Sequence, residues 1–208
     1  MNDKTQAALQ DDIAYMRDMA EAGASTPLVS GTVLVIVGAI FGVISIVHWL
    51  WFRLGNPETW MVITLWLGAA AVCWIVNYGW VFRRMLKMPG VSSPSNIAVA
   101  YTWNATGWTV NALLLCTLIL AWKLDSSLPF SVFPSIIAAV YGGAWFVSEK
   151  VSKQRWMWWP TLGGFGFALL LSYMIDTPYL WIAFSAAFFL IVMVPGIVLV
   201  RRQPSTIV

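Results

Sequence analysis

Charged side chains are scarce in this chain of 208 residues, since Asp, Glu, Lys and Arg together make up only 10% of it. Soluble domains usually devote about a quarter of their residues to these four types. Hydrophobic residues, by contrast, make up 60% of the chain. This composition argues against an ordinary soluble protein and is typical of an integral membrane protein.

Histidine and cysteine are also rare. His48 is the single histidine, which excludes haem ligation by two histidines of this chain. The two cysteines, Cys73 and Cys116, both lie in apolar segments and form no recognisable zinc site. Catalytic Ser/His pairs, paired carboxylates and phosphate-binding loops are not visible in the sequence either. We therefore expect no cofactor, no metal and no enzymatic activity.

Six apolar segments are long enough, at about 17–25 residues, to cross the hydrocarbon core of a bilayer. They are residues 27–52, 58–82, 96–122, 131–149, 159–175 and 178–200. A proline stands near the start of each segment, where the amide hydrogen that proline lacks would have no partner in a helix. These prolines are Pro27, Pro57, Pro94, Pro134, Pro160 and Pro178. The sequence therefore predicts an all-α integral membrane protein with six transmembrane helices.

Lys and Arg are distributed unequally between the two ends of the predicted helices. One side carries ten of them: Lys4, Arg17, Arg83, Arg84, Lys87, Lys150, Lys153, Arg155, Arg201 and Arg202. The other side holds only Arg53 and Lys123. Because basic loops resist translocation, this asymmetry predicts that both termini are cytoplasmic, in a multi-pass protein of a bacterial cytoplasmic membrane. The net charge of +3 follows from that topology and does not indicate nucleic-acid binding.

The chain divides by composition into three parts. Residues 1–25 form a cytoplasmic segment, residues 26–203 the six-helix membrane domain and residues 204–208 a cytoplasmic tail. Apolar residues at helical spacing, with acidic residues elsewhere, predict a short amphipathic helix over residues 6–21. Because its polar side is acidic, we expect this helix to pack against the basic loops of the same chain or against a partner protein, and not against an anionic lipid surface.

The third apolar segment carries polar and aromatic side chains at helical spacing. At about 100° per residue, four of them fall within an arc of roughly 80°. They are Tyr101, Asn104, Trp108 and Asn111. An amide without a partner in hydrocarbon costs about 2–7 kcal/mol. We therefore expect this stripe to face protein or water and not acyl chains.

Two interpretations of the stripe remain open. In the first, the asparagines form hydrogen bonds to other helices of the bundle, each contributing about 0.6–2 kcal/mol. In the second, they line a polar cavity in which Trp74 and Trp108 form aromatic walls and Asn77 adds a further amide. His48, at the outer end of the first segment, is expected to form hydrogen bonds at the membrane interface, with pH sensing and ligand contact as the alternatives.

These interpretations correspond to two functions. The favoured one is a transporter, channel or small-ligand-binding protein whose polar, Trp-lined cavity lies beside the third helix and takes an uncharged or weakly charged solute. The alternative is a non-enzymatic accessory subunit that forms homo-oligomers or joins a membrane complex.

Tryptophan is abundant, with 14 residues in the chain. Most of them fall near the ends of the apolar segments and are predicted to lie in the interfacial belts of the membrane. Trp181 is assigned in this way to the outer interface, and Trp145 and Trp156 to the inner one. Trp74 and Trp108 lie deeper, which is why they are retained as candidate site residues.

Small residues predict close contacts between helices. Gly38 and Gly42 have the Gly-x-x-x-Gly spacing. Two further groups suggest similar close crossings around the fourth and fifth segments: Gly142-Gly143 and Gly163-Gly164-Phe165-Gly166. A loose similarity of the second segment to the fifth, and of the third to the sixth, suggests a 3+3 repeat. Its halves would have inverted topology, an arrangement that many transporters use.

Overall fold

The computed structural model describes residues 11–15, 28–55, 57–88 and 90–203. These residues form helices joined by short turns and contain no strand. Of the predicted N-terminal helix, residues 11–15 are helical and exposed, and the remainder lies outside the described residues. The all-α fold class is therefore confirmed for the described part of the chain.

The predicted membrane domain contains six helices: α1 (Gly31–Leu54), α2 (Thr59–Met85), α3 (Pro94–Leu124), α4 (Leu128–Ser152), α5 (Trp158–Tyr173) and α6 (Leu180–Arg202). Five of these helices are long and apolar enough to cross a membrane. The exception is α5, whose 16 residues extend about 24 Å against a hydrocarbon core of about 30 Å. The structure thus agrees with five of the six predicted spans in length and composition.

The helix starts follow local capping chemistry. At the start of α3 the Ser93 hydroxyl accepts a hydrogen bond from the Asn96 amide at 3.3 Å, and Pro94 occupies the first turn. The expected start of α4 near Pro134 is wrong, because α4 begins at Leu128 and Pro134 lies inside the helix. Pro129 occupies the first turn instead, where amide hydrogens have no acceptor within the helix, so the amide hydrogen that proline lacks is not needed.

Helices α1 and α6 run antiparallel and cross closely at the glycines of α1. A Cβ atom added to Gly38 would lie 2.6 Å from the Met193 backbone nitrogen, and one added to Gly42 would lie 2.7 Å from the Phe189 ring. Ser185 Oγ donates a hydrogen bond to Gly42 O at 2.8 Å across the same crossing. The prediction that Gly38 and Gly42 permit close backbone approach is confirmed.

A second close crossing joins α4 and α5. A Cβ atom added to Gly164 would lie 2.5 Å from the Gly142 Cα atom, so only glycine fits there without a backbone shift. This confirms the predicted crossing. The corresponding pair in the other proposed half, α1 and α2, packs less closely. The inverted repeat stays a prediction.

The remaining contacts define the order of the helices. Helix α3 packs on α4, α6 contacts α5, and α2 packs on α1. As a result α2 and α3 lie at the periphery, and only 11% of the most apolar stretch of each is buried, against 50% in α4 and in α6. Gln203 Nε2 donates to Leu28 O at 3.4 Å, so the first and last helices meet at one end of the bundle.

Helix α6 is interrupted in its middle, where Pro195 predicts a break in the hydrogen-bond pattern. Residues Phe188–Met193 are π-helical. Pro195 has no amide hydrogen to donate to Ile191 O, the carbonyl one turn earlier. The Trp145 indole of α4 donates to that carbonyl at 2.7 Å, and the Trp145 side chain is 0% exposed. An interhelical bond thus replaces a missing backbone bond.

We expect Trp145→Phe to lower the stability of the protein, because it leaves the buried Ile191 carbonyl without this donor, an effect of about 1–3 kcal/mol. Pro195→Ala introduces an amide hydrogen one turn from the same carbonyl. The double variant Trp145→Phe/Pro195→Ala is therefore expected to regain part of the loss. Melting midpoints of the four proteins in detergent measure this coupling. Strictly additive effects of the two substitutions would contradict it.

Candidate functional site

The predicted polar stripe lies on the outer surface of α3. Tyr101 is 70% exposed and Trp108 is 63% exposed, and Asn104 between them is also exposed. Tyr101 and Asn104 therefore lie on the outside of the described bundle, and the expectation that the stripe faces protein or water stays a prediction. Their role in ligand contact stays a prediction.

The opposite face of α3 packs against the bundle. Val99, Thr106 and Thr117 are buried, and the Trp103 ring packs against Tyr141 and Trp145 of α4 at centroid distances of 5.7 and 4.9 Å. Buried threonine is inexpensive here, because Thr106 Oγ1 donates to Thr102 O at 2.9 Å within its own helix. The large, rigid Trp103 ring therefore determines which side of α3 faces inward.

The two asparagines of the stripe differ in hydrogen bonding. Asn111 is half-buried, and its Nδ2 donates to Gly107 O at 2.8 Å, one turn back in α3. The Asn104 amide forms no side-chain hydrogen bond within the described part of the chain. Asn104 is thus the member of the stripe whose hydrogen-bonding groups are available to another molecule.

Aromatic rings of α2 adjoin the stripe. Trp74 and Tyr78 stack with centroids 4.5 Å apart and planes 7° apart. Trp108 of α3 meets Trp74 edge to face at 5.7 Å. The structure thus brings together Trp74 and Trp108, the two rings singled out as walls of a site. We call the surface formed by Trp74, Tyr78, Asn104 and Trp108 the aromatic-amide face.

Asn77 lies behind this face, where α2 is π-helical over Asn77–Val81. It is buried, and its Nδ2 donates to Cys73 O at 3.0 Å and contacts Cys73 Sγ at 3.2 Å. Its Oδ1 is buried and accepts no hydrogen bond from any described residue. Asn77 is therefore half satisfied within its own helix, as π-helical segments at functional sites often permit.

His48 lies inside an aromatic cluster formed by α1, α2 and α6. The side chain is 2% exposed, and its Nδ1 accepts a hydrogen bond from Trp66 Nε1 at 3.1 Å. The Trp181 ring lies 3.8 Å from the imidazole, centroid to centroid. His48 thus forms a hydrogen bond within the bundle, and its position at the membrane interface stays a prediction. His48 belongs to a different cluster from the aromatic-amide face.

The interior between α4 and α6 offers little room for a solute. A cavity of about 10 Å³ lies there, lined by Tyr141 and by apolar side chains of the two helices. A single water molecule needs about 10–15 Å³ and two to four polar partners. This part of the bundle is therefore dry, and it is no polar cavity of the kind expected beside α3.

Sequence reasoning missed three side chains that join helices. Asn96 Oδ1 accepts a hydrogen bond from the Val29 amide at 3.0 Å and ties α3 to the start of α1. Trp66 and Trp145 donate indole hydrogens between helices. The position of Trp145 near a helix end predicts an interfacial ring. Its spacing of four residues from Tyr141 places both rings on one side of α4, and that side faces the core.

The sequence predicts no metal or cofactor site. Within the described ranges, no three His, Cys, Asp or Glu side chains are grouped so that they could hold a metal ion. Both cysteines are free thiols, Cys73 buried and Cys116 exposed.

Comparison with known proteins gives no relative: no family model, no curated protein and no solved structure matches the chain.

Proposed function

We propose that the chain crosses the bacterial cytoplasmic membrane six times, with both termini cytoplasmic. The meeting of α1 and α6 at one end supports this arrangement, because eight of the ten Lys and Arg residues that the structure describes lie at that end. We call it the basic end; Arg53 and Lys123 lie at the other end. The sixth span would be α5, which follows α4 closely through the Gly142–Gly164 crossing.

We expect cysteines placed at the two ends to differ in accessibility. In a Cys116→Ser background, Arg53→Cys and Lys123→Cys should react in intact cells with a maleimide that does not cross membranes. Lys87→Cys and Lys153→Cys should react only after permeabilisation. The remaining Cys73 is buried and serves as the internal control. Labelling of position 87 or 153 in intact cells would rule out the topology.

For the function, we propose a non-enzymatic membrane protein that binds a small uncharged ligand on the aromatic-amide face. The observation that carries the proposal is the unbonded Asn104 amide one turn from the exposed Trp108 ring, which is itself braced by Trp74. An amide left unpaired in hydrocarbon costs about 2–7 kcal/mol. A ligand that pairs with Asn104 removes that cost.

The chemistry of the face defines the class of ligand. The four residues of the face are all uncharged, so an ion would find no counter-charge among them. Exposed indole and phenol rings favour a flat or ring-bearing apolar body. The amide adds one donor and one acceptor. The ligand is thus amphipathic, uncharged and able to reach the site from within the membrane, as a transported solute or a bound effector.

We expect Asn104→Leu to abolish the response of the protein to such ligands and Asn111→Leu to preserve it. The two substitutions are chemically identical and lie on one helix, but Asn111 is already bonded to its own helix. The measurement is the melting midpoint in detergent with indole, benzyl alcohol or benzamide as probes. An unaltered response in Asn104→Leu, or no response of the native chain to any probe, would exclude binding at this face.

A second candidate function, assembly with another copy of the chain, is favoured by a separate observation. The outer surface of α3 carries exposed small side chains at spacings of four, three and four residues: Ala105, Thr109, Ala112 and Cys116. Such spacing permits close contact of two helices in lipid. In a dimer with its two-fold axis along the membrane normal, each of these residues meets its own copy.

This arrangement predicts a specific cross-link. In this dimer the Cα atoms of the two Cys116 residues lie within about 7 Å of each other, which is the largest separation that a disulfide allows. Mild oxidation of membranes should therefore give a disulfide-linked dimer in the native chain and in Cys73→Ser. The same treatment of Cys116→Ser should give monomer only. A native chain that stays monomeric under oxidation would argue against assembly through this surface.

A further inference from the structure

The cations of the basic end are held in place by aromatic rings. The Lys150 ammonium lies 4.8 Å from the centroid of the Trp158 ring and 5.4 Å from that of Phe146. The Arg202 guanidinium lies 5.1 Å from the centroid of the Trp156 ring. Three cation-π contacts therefore converge where α4 ends, α5 begins and α6 ends.

The ring under Arg202 is itself fixed. Trp156 Nε1 donates to Gln154 Oε1 at 2.8 Å, and the Trp156 ring packs 6.2 Å from the fully buried Trp145 ring. A cation resting on a fixed ring has less freedom to lose when it binds an anion.

Most of the positive charge at this place is not balanced by described carboxylates. Lys150 forms an ion pair with the buried Glu149, whose carboxylate oxygen lies 2.9 Å from the ammonium. Lys153, Arg155 and Arg202 are exposed and form no ion pair with any carboxylate of the described residues. We call Lys150, Lys153, Arg155 and Arg202 the cationic cluster.

Apolar surface lies directly beside these cations. Phe146 and Trp158, the rings that contact Lys150, are 39% and 40% exposed on the outside of α4 and α5. A phosphate bound to the cluster would therefore have an exposed aromatic surface next to it, on the side of the bundle that faces acyl chains. A soluble anion would contact only the cations. A phospholipid would contact the cations with its headgroup and the aromatic surface with the rest of the molecule.

We propose that the cationic cluster binds the headgroup phosphate of an anionic phospholipid whose glycerol and acyl region packs on Phe146 and Trp158. Arg and Lys are the side chains suited to phosphate oxygens. Basic pockets between transmembrane helices at the cytoplasmic side bind such headgroups in general. The site is separate from the aromatic-amide face and does not depend on the function proposed for it.

The test uses the detergent-solubilised full chain and palmitoyl-oleoyl phosphatidylglycerol as the probe, with phosphatidylcholine of the same acyl chains as the comparison. At about ten times Kd, binding raises the melting midpoint of a chain of this size by roughly 3–5 °C. We expect this shift with phosphatidylglycerol and not with phosphatidylcholine. Lys153→Gln/Arg155→Gln should lose most of the shift.

The matched control is Arg53→Gln/Lys123→Gln, which removes the same charge at the opposite end and should retain the shift. Neither the Lys153 nor the Arg155 side chain forms a hydrogen bond, ion pair or ring contact with the described residues, so their replacement should leave the lipid-free midpoint unchanged. An equal shift with both lipids, or an equal loss in both double variants, overturns the proposal. So does a shift of the same size with inorganic phosphate alone. A phosphatidylglycerol shift that appears only after removal of residues 1–20 also overturns it, because the acidic N-terminal segment would then occupy the cluster in the full chain.

Discussion

The hydrogen bond from Trp145 to the Ile191 carbonyl determines much of the arrangement of this bundle. Pro195 and the π-helical stretch Phe188–Met193 leave that carbonyl without its usual backbone donor. Inside a bilayer no water is present to replace the donor, so the protein must supply one itself. The indole of Trp145 does so at 2.7 Å and holds α4 against the middle of α6. The interruption of α6 therefore lies where the helix accepts the hydrogen bond from Trp145.

The same indole determines the orientation of α3. Trp103 packs edge to face on Trp145 at 4.9 Å, which turns this side of α3 toward α4. At about 100° per residue, Asn104, Trp108 and Tyr101 then point about 100°, 140° and 160° away from Trp103. Their exposure is a geometric consequence of burying Trp103. The aromatic-amide face is therefore exposed because the Trp103 ring packs in the interior of the bundle, which places the Asn104 amide on the outer surface of α3.

The sequence is a good guide to features that depend on backbone sterics or on local bonding. Apolar length located the helices to within a few residues, and the spacing of Gly38 and Gly42 indicated a close crossing. The orientation of α3 was not accessible in the same way, because in a membrane both the inner and the outer face of a helix are apolar and hydrophobicity does not separate them. Polarity was the remaining signal, and it was misleading here: Thr106 bonds its own helix and packs inward, whereas Asn104 lies outside. Position near a helix end likewise predicts an interfacial location for Trp145, whose ring is buried in the bundle. Distance along a helix does not reveal which side of the helix a ring faces.

The two proposed binding surfaces differ in chemistry, yet the Trp145 ring braces both. On one side Trp145 contacts Trp103 and so directs the aromatic-amide face outward. On the other it packs on Trp156, the ring that lies beneath the Arg202 guanidinium. Both surfaces are therefore built from side chains attached to a rigid core, which reduces the ordering that binding would otherwise require. An uncharged surface along α3 and a cationic cluster at the basic end fit ligands of the bilayer interior and of its headgroup layer respectively. Eight of the ten Lys and Arg residues that the structure describes lie at the basic end, which separates the cationic cluster from the uncharged surface along α3.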